Sequence, residues 1–203
     1  MRTKLNADKY PEDWEFRLLL DGINLRSTWG KRTYLMILFL CHTGLRIGEM
    51  TRLTVGDVAW KGEPREEVYL VHSITKGQKS RVVPFNSVAR SCVRKLLEFN
   101  EKRGFSTRPQ APLFPWKTHG FLPSREAERE IQKLREKVGL SAKITPHAFR
   151  HYFANRLKNA GVDPFTIAVI LGHSSIDTTQ GYTNTSSANK RNAVSRLAGK
   201  GVA

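Results

Sequence analysis

Residues 145–151, TPHAFRH, place two imidazoles and a guanidinium within seven positions. Thr145 is a suitable helix N-cap because its hydroxyl can accept a hydrogen bond from a backbone N–H, and Pro146 suits the first helical position. In the helix predicted from here, His147 and Arg150 are three residues apart and share a face. Free N–H groups and the helix dipole favour an anion at the first turn. The segment is therefore expected to hold a phosphate, a carboxylate or a metal.

Four further polar residues stand at the ends of predicted elements, where side chains from distant segments can meet. Arg46 opens a helix after a Thr-Gly break, and Lys76 lies at the tip of a hairpin. His173 follows a helix that stops at glycine, and Tyr182 comes nine residues later in DTTQGYT. Each residue alone has an ordinary structural explanation, as a solvated arginine, a turn lysine, a capping histidine or a packing tyrosine. Together, fixed cations of this kind could stabilise the charge that develops on a reacting phosphodiester.

Hydrophobic periodicity gives the elements that must position these residues. It predicts helices near 12–23, 31–43, 87–103, 124–138, 146–160, 164–171, 175–182 and 187–198, and one that carries Arg46, Glu49 and Leu53. The first helix is expected to turn Trp14, Leu18 and Leu19 inward. Strand-like segments occupy 54–60, 67–74 and 80–85, and TKGQK joins the last two as a hairpin turn. The expected fold is mainly α with a small three-stranded antiparallel β-sheet.

The composition is that of a basic globular protein. Lys and Arg number 34 against 18 acidic residues in 203, a net charge of +16. Such a charge favours a polyanionic partner, first of all nucleic acid, over a basic but unspecialised protein. Cys41 and Cys92 belong to no CxxC pair and are expected to be reduced core residues of a cytosolic protein. The longest apolar run, 34–41, is too short to span a bilayer, and no membrane association is expected.

A metal site is the competing interpretation of the histidines. His147 and His151 have the i, i+4 spacing of zinc-binding helices, and His173 could be a third ligand. However, Ala148 stands where the general-base glutamate of that motif would be, and Arg150 would have no purpose. His151 is better explained as a residue that packs beside the site and supports its side chains.

Five motifs in order, GLRIGE, TKGQKSRVVP, HAFRH, LGHSS and the tyrosine nine residues beyond the LGH histidine, resemble the catalytic domain of tyrosine recombinases. This is the phage-integrase and Xer-like family, and the resemblance extends over about residues 12 to 185. It implies the tyrosine-recombinase catalytic fold and site-specific cleavage and rejoining of DNA through a 3′-phosphotyrosyl intermediate. The same residues leave two alternatives, a topoisomerase IB-like relaxation of DNA and a non-catalytic DNA-binding regulator.

The resemblance also assigns roles to individual residues. It implies that Tyr182 is the nucleophile and that Arg46 and Arg150 clamp the non-bridging phosphate oxygens. Lys76 would be the general acid for the 5′-oxygen, and His147 a base or proton acceptor near the tyrosine.

Two further roles and the cofactor requirement follow from the same resemblance. His173 would donate a hydrogen bond to the phosphate, and Glu49 would orient its partners on the Arg46 helix. No metal or other cofactor is expected, because a covalent link retains the energy of the broken bond.

The predicted organisation has three parts, a flexible segment 1–10, the catalytic domain 11–185 and a tail 186–203 with a short helix. Val194 and Leu197 form a narrow apolar stripe in this tail that needs a surface to dock on, which makes the tail a candidate for protomer exchange. Members of the resembled family also have an N-terminal helical domain, so we expect an isolated catalytic fragment or a short member. The expected partners are double-stranded DNA, further copies of the full-length protein in a tetramer on DNA, and accessory DNA-bending proteins. The expected location is cytoplasmic and nucleoid-associated.

Overall fold

The structure, a computed structural model, describes residues 11–71, 80–117, 120–172 and 187–198. The helices in these ranges are α1 (Asp13–Asp21), α2 (Thr28–Thr43), α3 (Ile47–Met50), α4 (Val55–Val58), α5 (Ser87–Lys102), α6 (Ser124–Lys137), α7 (Pro146–Asn159), α8 (Pro164–Leu171) and α9 (Ser187–Ser195). The strands are β1 (Ala59–Trp60), β2 (Glu63–Pro64), β3 (Glu67–Leu70), β4 (Arg81–Pro84), β5 (Pro115–Trp116) and β6 (Gly120–Phe121). The prediction of a mainly helical fold with small antiparallel pairing is confirmed. The predicted flexible segment 1–10 and the helix 175–182 lie outside the described residues.

The strands pair two by two, as β1 with β2, β3 with β4 and β5 with β6. This pairing corrects one detail of the sequence prediction, which had a single three-stranded sheet. Residues 54–60, the expected first strand, form α4 and only the short β1. The reason is a capping box, in which Thr54 N donates to Asp57 Oδ2 at 2.8 Å and Asp57 N donates to Thr54 Oγ1 at 3.3 Å. The predicted hairpin is confirmed in its strands, with Leu70 opposite Arg81.

Helix α2 runs through the main core, packed against α5 and α7. Ser27 caps its start by accepting a hydrogen bond from Gly30 N at 3.5 Å. It ends at Gly44, whose φ of +63° is in the left-handed region. A Cβ at this position would lie 2.4 Å from the Phe153 ring, so both the conformation and the close approach of α7 require glycine. This end of α2 delivers the chain to the position of Arg46.

A second, smaller core joins the C-terminal half of α7 to α8 and α9. Val194 and Leu197, the stripe expected to need a docking surface, are buried in it against this chain's own helices. A buried polar contact supports the arrangement, because Arg156 Nη2 donates to Leu197 O at 3.0 Å. Exchange of the tail between protomers stays a prediction.

Burial differs from the expectation at α1 and agrees with it at the cysteines. Trp14 and Leu18, expected to face inward, are 57% and 39% exposed, whereas Leu19 and Phe16 are buried. Cys41 and Cys92 are both buried and free. Among the described residues, no helix combines the length and the apolar character needed to cross a membrane.

Candidate active site

Arg46 occupies the N-cap of α3, two residues after the end of α2 at Gly44. The predicted helix is a single turn, and Arg46 precedes it rather than lying within it. Arg46 N donates to Glu49 Oε2 at 2.8 Å, and Arg46 Nη1 donates to Glu49 Oε1 at 2.9 Å. The Arg46 side chain remains 32% exposed. Its guanidinium is thus oriented by its own turn while part of it faces solvent.

Glu49 is a buried carboxylate shared by two arginines. Its side chain is 2% exposed, and besides Arg46 it accepts two hydrogen bonds from Arg81, at 2.8 Å from Nη1 and 2.6 Å from Nη2. Burial by itself raises the pKa of Glu49, but the hydrogen bonds and charge of Arg81, together with those of Arg46, outweigh it and bring the pKa below its ordinary value. Glu49 is therefore ionised at neutral pH, as a residue that orients two cations must be.

Arg81 is the member of this cluster that was not predicted. It begins β4, its side chain is 7% exposed, and its two parallel bonds to Glu49 have the fork geometry of a strong ion pair. The signal that could have found it is a lone charged residue in the strand RVVP, a few residues after Lys76 in the sequence. A charge at that position of a partly buried strand needs a counter-charge.

Arg150 lies on α7 with 3% of its surface exposed. Its Nη1 donates to Gly44 O at 2.8 Å, and its Nη2 donates to Leu171 O. These bonds use two of its five N–H donors and connect the C-terminal ends of α2 and α8. Burial, followed by the positive charges of Arg46 and Arg81, lowers the pKa of Arg150 to about 9, so it remains a cation at neutral pH.

His147 lies one turn before Arg150 on α7, as the spacing predicted. Pro146 takes the first helical position, but Thr145, although extended as an N-cap should be, makes no capping bond through its side chain. Burial, then the charges of Arg150 and Arg46, lowers the pKa of His147. The His147 imidazole is therefore neutral at pH 7 and able to accept a proton. The His151 ring lies edge-on to it, with ring centroids 4.7 Å apart.

Arg46, His147 and Arg150 meet at a cleft of about 440 Å³ between α3, α6 and the start of α7. Arg46, His147 and Arg150 line one part of it, and Glu128, Gln132 and Arg135 of α6 line another, with Ile47, Ile131, Ile144, Thr145 and Pro146 completing the wall. Glu49 and Arg81 are not among the lining residues. Cations and an imidazole in one cleft beside a helix N-terminus suit an oxyanion such as a phosphate.

Lys76, His173 and Tyr182 lie outside the described residues. The elements that lead to two of them are described. Gly172, directly before His173, has a φ of +66°, and a Cβ there would lie 2.7 Å from Arg81 Cδ. Strand β4, which follows the segment of Lys76 in the sequence, and helix α8, which precedes His173, therefore touch each other beside Glu49.

Part of the metal hypothesis can be compared with this geometry. His147 and His151 are adjacent, as that hypothesis requires. In the part of the chain that the structure describes, no three His, Cys, Asp or Glu side chains are grouped closely enough to hold a metal ion. The proposed third ligand, His173, is outside this part.

Comparison with known proteins gives a consistent result. The sequence pattern of the "Phage integrase family" matches residues 14–189. The chain is 36% identical over 174 residues to the tyrosine recombinase XerD of Corynebacterium glutamicum, covering 84% of this chain and 55% of that protein. It is 32% identical over 188 residues to the tyrosine recombinase XerC of Rickettsia bellii, covering 91% and 58%. The chain thus spans little more than half the length of these relatives.

A solved structure, that of XerA recombinase, is similar to this chain in fold and sequence. It has a TM-score of 0.65 and 27% identity, and the match covers 90% of this chain and 63% of that one. The XerH site-specific recombinase bound to a palindromic difH substrate has a TM-score of 0.64 at 22% identity, covering 84% and 48%, which is a likeness of fold.

Proposed function

Because the chain belongs to the phage integrase family, we propose that it cleaves and rejoins DNA at specific sites through a 3′-phosphotyrosyl intermediate, in integration, excision or resolution of DNA. The observation that carries this proposal is the convergence of Arg46, His147 and Arg150 on one cleft, although up to 104 positions separate them in the sequence. Double-stranded DNA as the substrate is supported by similar structures, among them XerH bound to difH and the Tn1549 transposon integrase in complex with transposon right end DNA.

In the proposed first step, the Tyr182 oxygen forms a bond to phosphorus as the bond from phosphorus to the 5′-oxygen breaks. His147 accepts the tyrosine proton, and its lowered pKa keeps the imidazole in the neutral form that can accept one at pH 7. Lys76 gives a proton to the departing 5′-oxygen. In the second step the 5′-hydroxyl of another strand attacks phosphorus, the phosphotyrosyl bond breaks, and the two protons return to their donors.

Arg46 and Arg150 stabilise the charge that develops on the non-bridging oxygens. A tyrosine with a pKa of about 10 is ionised in roughly one molecule in a thousand at pH 7. Moving that pKa to neutrality corresponds to about 4 kcal/mol of differential stabilisation, which two arginines, a lysine and imidazole donors around one phosphate can supply. Arg150 suits this role because its two bonds to backbone carbonyls hold its plane fixed before DNA arrives.

The remaining residues support this set. His173 donates a hydrogen bond to the phosphate, Glu49 orients Arg46, and His151 packs against His147 and limits the rotation of its ring. Assembly into a tetramer on DNA and accessory DNA-bending proteins belong to the same proposal, as does a place at the nucleoid. Binding by this chain alone should be largely electrostatic. If it neutralises about six phosphates, log K falls with log salt at a slope near −5.

The decisive experiment is incubation with a suicide DNA substrate, in which the released fragment cannot religate. The wild type should form a protease-sensitive covalent adduct and then joined strands, whereas Tyr182→Phe should bind DNA equally well and form no adduct. An adduct that persists in Tyr182→Phe contradicts the assignment of the nucleophile. Relaxation of supercoiled DNA without exchange would favour the topoisomerase alternative, and binding without any adduct would favour the regulator.

The role of Lys76 has its own test. Lys76→Ala should form the adduct slowly on ordinary DNA and recover on DNA with a 5′-bridging sulfur, because that sulfur leaves without needing a proton. Equal defects on both substrates would assign the general acid to another group.

A further inference from the structure

Arg81 is a buried cation for which the proposed reaction has no role. It does not line the cleft, its side chain is 7% exposed, and its two Nη atoms donate to the two oxygens of Glu49 at 2.8 and 2.6 Å. Placing a guanidinium in such a position has a desolvation cost that only a well-formed ion pair offsets. The pair therefore requires an explanation beyond a surface contact.

Through Glu49, the position of Arg81 bears on Arg46. The same carboxylate oxygens that receive Arg81 also receive the backbone N–H and Nη1 of Arg46, at 2.8 and 2.9 Å. Arg46 lines the cleft, whereas Glu49 lies behind it and is 2% exposed. With Arg81 in place, the negative charge of the carboxylate is shared between two cations. Without Arg81, the full negative charge would face Arg46 alone and reduce its attraction for an oxyanion.

Arg81 also touches the end of α8. A Cβ placed on Gly172 would lie only 2.7 Å from Arg81 Cδ, so Arg81 leaves no room for a side chain at this position. Leu171, the preceding residue, accepts a hydrogen bond from Arg150. The methylene groups of Arg81 therefore press against the residue from which the chain departs toward His173.

On the premise of the proposed function, we propose that Arg81 is a positioning residue of the cleavage reaction. It locks Glu49, so that Arg46 is aimed at the scissile phosphate, and it packs against Gly172 at the end of α8. It does not touch the substrate.

The test is the single-turnover rate of adduct formation on suicide DNA at saturating concentration, measured with the thermal midpoint and the DNA Kd of the same samples. Arg81→Met keeps the length and loses the charge. Its rate should fall by about 10- to 100-fold, the scale seen when a residue that orients a functional ligand is removed. Its Kd should stay within about twofold of the wild type, because Arg81 makes no contact with the cleft.

A double-substitution cycle separates positioning from mere stability. If Arg81 acts through Glu49, the combined Arg81→Met and Glu49→Gln variant should be no slower than the slower single variant. Rate losses that multiply would overturn the proposed route. Arg94→Met is the matched control, since it removes an arginine from an exposed pair with Glu63 and should leave the rate unchanged.

Arg81→Lys keeps the test valid if Arg81→Met does not fold. Lysine retains the charge but cannot form two parallel bonds, so its rate should lie between those of the wild type and Arg81→Met. If a folded Arg81→Met or Arg81→Lys variant cleaves at the wild-type rate, the positioning role of Arg81 is overturned and the proposed function is not affected. A wild-type chain that forms no adduct would overturn the proposed function, and the role of Arg81 with it.

Discussion

Glu49→Gln should test the shared carboxylate most directly through protein stability. Glutamine keeps the shape of the side chain but replaces a charged acceptor by a neutral amide, one end of which can only donate. Four hydrogen bonds converge on Glu49, two from Arg46 and two from Arg81. The variant would leave the guanidinium of Arg81, 7% exposed, without a counter-charge.

Removing one partner of a buried ion pair costs about 3–5 kcal/mol. Because glutamine retains part of the hydrogen bonding, we expect the lower end, about 3 kcal/mol. For a chain of this size, each kcal/mol lowers Tm by about 2–4 °C, so Tm should fall by roughly 6–12 °C. The control is Glu63→Gln. The Glu63 side chain pairs with Arg94 and is 76% exposed, so this substitution should change the free energy of unfolding by no more than about 0.5 kcal/mol.

The difference between wild type and Glu49→Gln should depend on pH in one direction only. The pKa of Glu49 is lowered in the folded protein, since the hydrogen bonds and charge of Arg81 outweigh the effect of burial. Its contribution is therefore fully present above the ordinary value of 4.5 and is lost as the pH falls through the folded pKa. In that interval the unfolded chain binds the additional proton, so acid favours unfolding.

Urea unfolding of both proteins from pH 7 to the acid limit of folding provides the measurement. The free energy of unfolding of the wild type should exceed that of Glu49→Gln by a constant amount above about pH 5, and this difference should shrink below about pH 4.5. Parallel stability curves, or an advantage that grows on acidification, would refute the view that Glu49 is held ionised by the two arginines.

Three other predictions follow from buried or shifted groups. Glu130→Ala should lower the free energy of unfolding in urea by about 3 kcal/mol, because the fully buried Arg32 loses its ion-pair partner; an effect under about 1 kcal/mol would contradict this. On acidification from neutral pH, the single-turnover rate of cleavage should start to fall only below about pH 6.5, because burial and then Arg150 lower the pKa of His147; a loss that is already under way at pH 7 during acidification would assign the proton acceptor elsewhere. Burial raises the pKa values of Cys41 and Cys92. Both thiols should therefore react with an aromatic disulfide reagent only after unfolding, and the absorbance of the reaction product measures this.

The features that the sequence determined by itself are local ones. Pro146 at the first position and Gly161, two residues after the last one, mark α7, and a spacing of three residues is enough to bring His147 and Arg150 to one face. The hairpin of β3 and β4 and the burial of α2 followed from alternation and from a continuous apolar run. Such features depend on neighbours within a few positions, and the sequence lists those neighbours directly.

Only the tertiary structure decided which distant groups pair. Arg81 meets Glu49 across 32 positions, and Arg150 reaches the carbonyl of Gly44 across 106. These partners are chosen by the packing of α2, α7, α8 and β4, which brings each of these buried charges to a counter-charge or a backbone carbonyl. A buried charge or polar group without a partner costs free energy, so these pairings are strongly favoured. Composition alone carries no information about which groups pair.

The same reason explains where the sequence predictions were wrong. Trp14 and Leu18 are apolar, yet α1 turns Phe16 and Leu19 inward, because the rings of Phe149 and Tyr152 on α7 lie against Phe16, with centroids 5.3 and 3.8 Å away. A helix with apolar residues on more than one side does not specify which side is buried. That choice is made by the surface against which the helix packs, and this surface exists only once the rest of the chain has folded.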